Sequence, residues 1–167
     1  EGYNFDTAYQ FSMRGKLKMK IVSIDDFQPF KYLADVVINH AGLLQAEQFK
    51  KESYTNLLLG PQYALLRREF SQVAKMDGRK ITKIKTAFVC LGGSDTDLYK
   101  EILFKLLKLG FEHIIIVIND KSKLENVNNG SRKVELYSKL SAKELVSLMK
   151  QSNIAILPAS TLCYEYC

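Results

Sequence analysis

The sequence predicts an α/β fold with mostly parallel sheets, arranged in two units. Short apolar runs alternate with helical patterns along the chain, as parallel strands joined by helical crossovers require. Several of these runs are continuously apolar, which is typical of strands covered on both faces. A polar break with a glycine and several charges, KMDGRKITK at 75–83, interrupts this alternation. We therefore predict two domains, 1–76 and 77–167.

The first domain begins with a helix, continues with three strands and ends with a second helix. FDTAYQFSMRGK predicts the first helix with Asp6 as its cap, because an aspartate carboxylate accepts bonds from the first free backbone N–H groups. ALLRREFSQVAK predicts the second helix. The predicted strands lie in KMKIVSID, in ADVVIN at 34–39 and in YTNLLLG at 54–60, where Gly60 and Pro61 stop the run.

The second domain shows the same alternation with clearer signals. Apolar residues recur at helical spacing in DLYKEILFKLLKLG, and Gly110 is placed to end that helix. Ser141 and Glu144 have the spacing of a capping box at the start of another helix. STLCYEYC predicts the final helix. The predicted strands are TAFVCL at 86–91, HIIIVI at 113–118, VELYS at 134–138 and NIAILP at 153–158.

The first candidate binding element is the turn LGGSDTD, residues 91–97. Ligands of open parallel sheets bind beyond the carboxyl ends of the strands, where glycines allow close approach and helix N-termini attract phosphate. Alternatively, the glycines only make a tight turn and Asp95 or Asp97 caps the helix. These carboxylates would also repel a phosphate beside them. The turn is neither a P-loop nor a GxGxxG motif.

The second candidate element is LPASTLCYEYC at 157–167, which also follows a strand. The hydroxyls of Ser160 and Thr161, with nearby N–H groups, suit a diphosphate. Glu165 lies one helical turn beyond Thr161 on the same face, and a carboxylate can accept two ribose hydroxyls. Alternatively, Ser160 or Thr161 is only a helix cap and Glu165 an exposed helix residue.

Composition argues against several classes of protein. The net charge of +6 is spread evenly, with 10 basic and 8 acidic residues in 1–76 and 14 and 10 in 77–167, so we expect no nucleic-acid partner. Apolar runs fall short of the roughly 20 residues of a membrane span. The cysteines are Cys90, Cys163 and Cys167, an odd number that favours free thiols in the cytoplasm. We expect no metal site.

A series of short motifs carries a resemblance to a known family. The chain resembles the UDP-sugar hydrolases of the pseudaminic acid pathway and the related spore-coat polysaccharide biosynthesis proteins. That resemblance implies two Rossmann-like domains of the GT-B glycosyltransferase type, and hydrolysis of a UDP-linked sugar without metal or cofactor. The motifs, in chain order, are GYNF at 2–5, SIDD at 23–26, ADVVINHA at 34–41, LLGPQYALLRREF at 58–70, CLGGSDTD at 90–97 and PASTLCYE at 158–165.

The resemblance implies roles for both candidate turns. Gly92, Gly93 and Ser94 match the glycine loop that approaches the nucleotide-sugar. Ser160 and Thr161 match the pair that contacts the diphosphate.

It also implies roles for five further residues. Glu165 matches the acidic residue that holds the ribose, and Tyr164 falls where some members have an asparagine near the reacting group. Tyr3 matches a tyrosine that lines the cleft. Tyr63 and Arg67 match a YALLR segment that leads to the interdomain linker, where hinge packing and a helix-surface charge are equally good interpretations.

The sequence departs from the family at its start and its end. The G-H-x-x-R segment with the water-activating histidine is not matched, and His40 is expected to be a structural residue at a strand end. We therefore expect a UDP-sugar-binding fragment in which both domains are incomplete, with possible self-association through surfaces exposed by truncation. Two alternatives stay open: a glycosyltransferase that uses the same UDP-sugar site, and a non-catalytic α/β binding module.

Overall fold

The chain folds into two compact units, Glu1–Leu65 and Leu66–Cys167, which are described here separately. Both are α/β units with parallel sheets, so the predicted fold class is confirmed. The predicted boundary after residue 76 lies about ten residues beyond this division, because the helix at Arg68–Val73 belongs to the second unit. The computed structural model describes residues 5–24, 30–74, 80–92, 96–124 and 130–167.

The described part of the first unit contains one α-helix, two short 3-10 turns and a three-stranded parallel sheet in the order β1-β2-β3. Asp6 caps the helix as predicted, since its carboxylate accepts a hydrogen bond of 2.9 Å from the backbone N–H of Tyr9. The buried core consists of Tyr32, Ala34, Val37 and Phe49. The elements are α1 Thr7–Leu17, β1 Val22–Ile24, β2 Val36–Asn39 and β3 Asn56–Leu59.

Burial in the first sheet differs from the prediction of strands covered on both faces. In β2, Val37 and Asn39 are fully buried, whereas Val36 and Ile38 on the other face are half-buried. The described apolar cluster packs against one face only, which accounts for the alternation. β1 pairs with β2 alone among the described strands, so it forms an edge of the sheet.

The second unit contains a four-stranded parallel sheet in the order β6-β5-β4-β7, with helices on both faces. The capping box is present, since Glu144 accepts from the Ser141 N–H at 2.8 Å and the Ser141 hydroxyl accepts from the Glu144 N–H at 3.3 Å. The elements are α2 Arg68–Val73, β4 Thr86–Cys90, α3 Thr96–Lys108, β5 His113–Val117, β6 Lys133–Tyr137, α4 Ala142–Gln151, β7 Ile154–Ile156 and α5 Thr161–Tyr166.

The central strands of this sheet are buried on both faces, as their continuous apolar runs predict. Ala87 and Val89 of β4 pack with α3 on one face. Phe88, the residue between them, packs on the other face with Phe70 of α2 and with α4. Successive side chains of a strand point to opposite faces, so an unbroken apolar run is what two helical layers require.

The strand order of this sheet reverses at β4. The chain runs from β4 to β5 and then to β6 in one direction, and it returns to place β7 on the opposite side of β4. This order is consistent with a Rossmann-like α/β fold. Asn153 fixes the amino-terminal edge at this junction, since its side-chain oxygen accepts from the backbone N–H groups of Lys85 and Thr86, both at 3.0 Å.

Candidate ligand-binding site at the carboxyl edge of the second sheet

The two candidate turns of the second unit follow neighbouring strands. β4 and β7 are parallel and paired, with Val89 opposite Ile156. The loop after β4 and the loop after β7 therefore leave the sheet side by side at its carboxyl edge. In doubly wound sheets, the crevice at such a reversal of strand order is where ligands bind, because the flanking loops diverge there.

The second residue of the loop after β4 is a left-handed glycine. Gly92 has φ of +64°, it is exposed, and no described heavy atom lies within 4 Å of where its Cβ would be. The loop therefore presents bare backbone at this point, as close approach to a ligand requires. Gly93 and Ser94 lie outside the described residues, so their predicted contacts to the nucleotide-sugar stay predictions.

Tyr99 of α3 anchors the start of this loop from inside. Its side chain is 1% exposed, and its hydroxyl accepts a 2.8 Å hydrogen bond from the Leu91 N–H and donates one of 3.0 Å to the carbonyl of Val117. Burial raises the pKa of Tyr99, so the hydroxyl keeps its proton at neutral pH. The sequence pattern identified this residue only as part of a helix.

The turn after β7 leads directly into α5. The Ser160 hydroxyl accepts a long 3.4 Å bond from the Leu162 N–H, and the Ser160 N–H donates to the Pro158 carbonyl at 2.8 Å. Ser160 is exposed and Thr161 is half-buried. Ser160 therefore acts as the helix cap, which was one of the two alternatives for this turn, and the cap leaves its hydroxyl in contact with solvent.

Arg67 binds Glu165, although these two residues belong to different sequence motifs. The Glu165 Oε1 accepts from the Arg67 N–H at 3.2 Å and from Nε at 2.8 Å, and Oε2 accepts from Nη2 at 2.5 Å. The Glu165 side chain is only 4% exposed, against 47% for Arg67, whose guanidinium lies 4.6 Å from the Phe70 ring centre. Glu165 is thus not the exposed helix residue that one alternative described.

The ion pair sets the charge state of both groups. The hydrogen bonds from Arg67 lower the pKa of Glu165 below its usual value, although burial acts in the opposite direction. The same contact raises the pKa of Arg67. Three donors occupy Glu165, and a carboxylate has about four acceptor positions, so one position on Oε2 remains for a further donor.

A half-buried thiol lies at the end of β4. Burial raises the pKa of Cys90, and the Gly92 N–H and the charge of Arg67 oppose that shift in part. Cys90 is thus neutral at pH 7, and Arg67 lies close enough to the end of β4 to influence it. Cys163 and Cys167 are free thiols as well, as predicted.

The remaining predicted residues are placed as follows. Tyr164 is half-buried in α5. Tyr63 belongs to the first unit, where it ends a short 3-10 turn with 38% of its surface exposed. His40 directly follows β2 and is half-buried. Tyr3 lies outside the described residues. The segments that follow β4 and β7 therefore carry Gly92, Ser160 and Thr161, and the ion pair of Arg67 and Glu165 joins the start of α2 to α5 in the same unit.

The described part of the chain shows neither a cluster of metal-ligating side chains nor a helix that could cross a membrane. Within the described ranges, no group of three or more histidine, cysteine, aspartate or glutamate side chains is arranged to hold a metal ion. In the same part of the chain, no helix combines the length and the apolar character that crossing a membrane demands.

Comparison with known proteins finds a distant relative. No family model matches the chain. An uncharacterized protein of Methanocaldococcus jannaschii is 28% identical over 166 residues, an alignment that covers 90% of this chain and 34% of that protein. The chain thus spans about a third of the length of the curated relative that it matches.

Proposed function

We propose that the second unit binds UDP or a UDP-sugar at the carboxyl edge of its sheet, between the loops after β4 and β7. The observation that carries this proposal is the reversal of strand order between these two strands. It places an exposed left-handed glycine and a hydroxyl-bearing turn on adjacent strands, in the crevice that doubly wound sheets use for nucleotides.

The diphosphate and the ribose of the nucleotide have candidate partners in the second unit. The backbone at Gly92 is exposed and carries no side chain, which leaves room for a phosphate, and the exposed Ser160 hydroxyl can donate to a phosphate oxygen. Glu165, which the resemblance assigns to the ribose, is ionised and oriented by Arg67, but its side chain is 4% exposed, so a ribose hydroxyl reaches Oε2 only if α5 shifts. Arg67 is half-exposed and retains unused N–H groups for the diphosphate.

For the whole protein we propose hydrolysis of a UDP-linked sugar with release of UDP, in the cytoplasm. Water attacks the anomeric carbon, the bond to the diphosphate oxygen breaks, and the leaving UDP gains negative charge. Donors from the glycine loop and from Arg67 would stabilise that charge as it develops. The described residues contain no assigned base for the water, and Tyr3 and Tyr164 stay candidates only through the resemblance. A glycosyltransferase would use the same site with a sugar hydroxyl in place of water.

Calorimetric titration with UDP and with ADP tests the binding site. The unaltered chain should bind UDP in preference to ADP, and Glu165→Gln should weaken UDP binding because the neutral amide is a poorer acceptor for a ribose hydroxyl. Glu144→Gln is the matched control, since Glu144 is a capping carboxylate of the same unit. A folded chain that binds neither nucleotide would exclude the proposal.

One observation favours a non-catalytic module as the second candidate. The Arg67–Glu165 pair joins the start of α2 to α5 and is a sufficient structural reason for both residues. Under this alternative, Glu165→Gln lowers stability only, and uridine nucleotides do not bind. The two candidates therefore differ in the titration described above.

We also propose that the chain associates with a second copy through the first unit. Exposed apolar side chains, among them Tyr9 of α1, Met19 in the following loop and Val22 of β1, line a cavity of about 400 Å³. β1 is an edge strand in the described part of the sheet, and such edges invite pairing. A clean monomer in gel filtration at high concentration would contradict this.

A further inference from the structure

We propose that the first unit binds an anionic amphiphile, a molecule with an alkyl or acyl chain and a phosphate or carboxylate head. The chain lies in the apolar cavity beside α1 and β1, and the head lies in a second, basic cavity that adjoins it. This inference does not rest on the nucleotide site proposed above, because it concerns the other unit.

The first cavity, of about 400 Å³, has the size and the lining that a small apolar ligand requires. It is lined mainly by apolar side chains, among them Tyr9, Met13, Met19, Val22 and Ile24. Val22 is 54% exposed and Ile24 is 49% exposed, so the described part of the chain does not cover these side chains. An alkyl chain in the cavity removes this apolar surface from water, which is its main source of affinity.

Gln10, a polar residue that also lines this cavity, already has its hydrogen-bond partners. Its side-chain nitrogen donates to the Phe5 carbonyl at 2.9 Å, and its side-chain oxygen accepts from the Leu33 N–H at 2.8 Å. Gln10 therefore contributes to the wall of the cavity without requiring a polar group from the ligand.

The second cavity, of about 290 Å³, adjoins the first, because Met19 and Lys20 line both. Its other lining residues are Arg14, Lys18 and Asp35, so three cations and one carboxylate give the lining a net charge of +2. Asp35 accepts from Arg14 and Lys20, whereas Lys18 forms no ion pair within the described residues. Lys18 and the 86%-exposed Lys20 are thus available to an anionic head.

The adjacency of the two cavities determines the class of ligand. A purely apolar molecule uses only the first cavity, and inorganic phosphate uses only the second. A molecule with both parts uses both cavities, and Lys20 can contact each part, since a lysine has an apolar stem and a charged end. A second copy that pairs with the backbone edge of β1 leaves Val22 and Ile24 to this ligand, because their side chains point out of the plane of the sheet.

Calorimetric titration with decyl phosphate, octyl phosphate and inorganic phosphate, each below the concentration at which micelles form, tests this inference. Decyl phosphate should bind more tightly than octyl phosphate, by about fourfold for each additional methylene that the cavity buries. Inorganic phosphate should bind far more weakly than either. In NMR spectra, decyl phosphate should shift the methyl signals of Met13 and Met19, since both residues line the apolar cavity.

Two pairs of variants locate the chain and the head. Val22→Glu places a charge in the apolar cavity and should weaken decyl phosphate binding by about tenfold. Phe11→Glu is its control, since Phe11 is an exposed apolar residue of α1 outside the lining. Lys18→Gln removes a cation from the basic cavity and should weaken binding by about threefold. Lys16→Gln, an exposed lysine outside both linings, should leave binding unchanged.

Each outcome supports or overturns the inference. Weaker binding in Val22→Glu and Lys18→Gln but not in their controls supports it. Equal affinity of Val22→Glu and the unaltered chain overturns it, because the ligand then binds elsewhere. Equal binding of decyl phosphate and inorganic phosphate identifies a basic surface only and also overturns it. A folded chain that binds no decyl phosphate overturns it as well. If Val22→Glu does not fold, the chain-length comparison and the methionine signals of the unaltered chain decide the question.

Discussion

A substitution that breaks the Arg67–Glu165 ion pair is the most informative test of what stabilises the second unit. Glu165→Gln keeps the size of the side chain, but it replaces a carboxylate that accepts three hydrogen bonds from Arg67 with a neutral amide. The Glu165 side chain is 4% exposed, so water cannot replace those donors without rearrangement of α5. The variant therefore tests whether this contact holds α5 in place.

The expected magnitude follows from the difference in burial between the two partners. Removing one partner of a fully buried pair costs about 3–5 kcal/mol, because the other charge is left without compensation. Arg67 is 47% exposed, so water solvates its guanidinium once the carboxylate is removed. The loss in free energy of unfolding is therefore smaller and closer to that of a surface ion pair. We therefore expect a loss of about 2 kcal/mol, equivalent to a decrease in Tm of about 10 °C for a unit of this size.

The pH dependence gives an independent check on the same contact. The pKa of Glu165 is lower in the folded chain than in the unfolded chain, where it is about 4.3. Its stabilising effect is therefore complete above the unfolded pKa and is lost as pH falls through the folded pKa. The difference in Tm between Glu165→Gln and the unaltered chain should be largest at pH 7, where Glu165 is ionised. It should become smaller below about pH 4.

A matched control separates this contact from charge removal in general. Glu101 also contacts a cation at 2.5 Å, Lys105, but both of those side chains are exposed. Glu101→Gln should thus change Tm little, since exposed pairs contribute little. Thermal unfolding followed by calorimetry at several pH values measures both variants. Equal Tm values for Glu165→Gln and Glu101→Gln at pH 7 would refute the reasoning.

Three further changes test other parts of the structure. Asp35→Asn should lower Tm at pH 7, because hydrogen bonds from the Ile21 N–H, Lys20 and Arg14 lower the pKa of Asp35 to about 2. In calorimetry, the difference in Tm between this variant and the unaltered chain should disappear as pH falls from about 3.8 through 2. Ser141→Ala should cost about 1 kcal/mol in urea unfolding through the lost cap of α4, and an unchanged midpoint would contradict that role. Gly92→Ala should cost about 1–2 kcal/mol in the same assay, because φ of +64° disfavours a Cβ, and a neutral result would be evidence against the left-handed backbone.

Local sequence signals predicted the individual elements of this fold well. The capping box at Ser141, the Asp6 cap and the continuous apolar strands β4 and β5 all depend on residues close in sequence, so their patterns can be interpreted without tertiary contacts. Burial of the first sheet was less predictable. An apolar run such as β2 shows which residues can be buried, but not how many layers cover them.

The arrangement of the site depends on contacts that the sequence pattern does not contain. Arg67 and Glu165 are 98 residues apart, and they were considered for separate roles although they form one ion pair. Tyr99 was indistinguishable from other apolar residues of α3, since its hydroxyl finds partners only when β4 and β5 are adjacent. The place of β7 beside β4 is likewise a property of the assembled sheet.

Mapping UDP onto the second unit by NMR chemical shifts tests the central claim most directly. The account predicts that UDP, and not ADP at the same concentration, shifts the backbone amides of Leu91, Gly92, Ser160 and Thr161. These residues follow the two strands between which the strand order reverses. Shifts confined to other parts of the chain, or none at saturating UDP, would contradict a nucleotide site at this edge of the sheet.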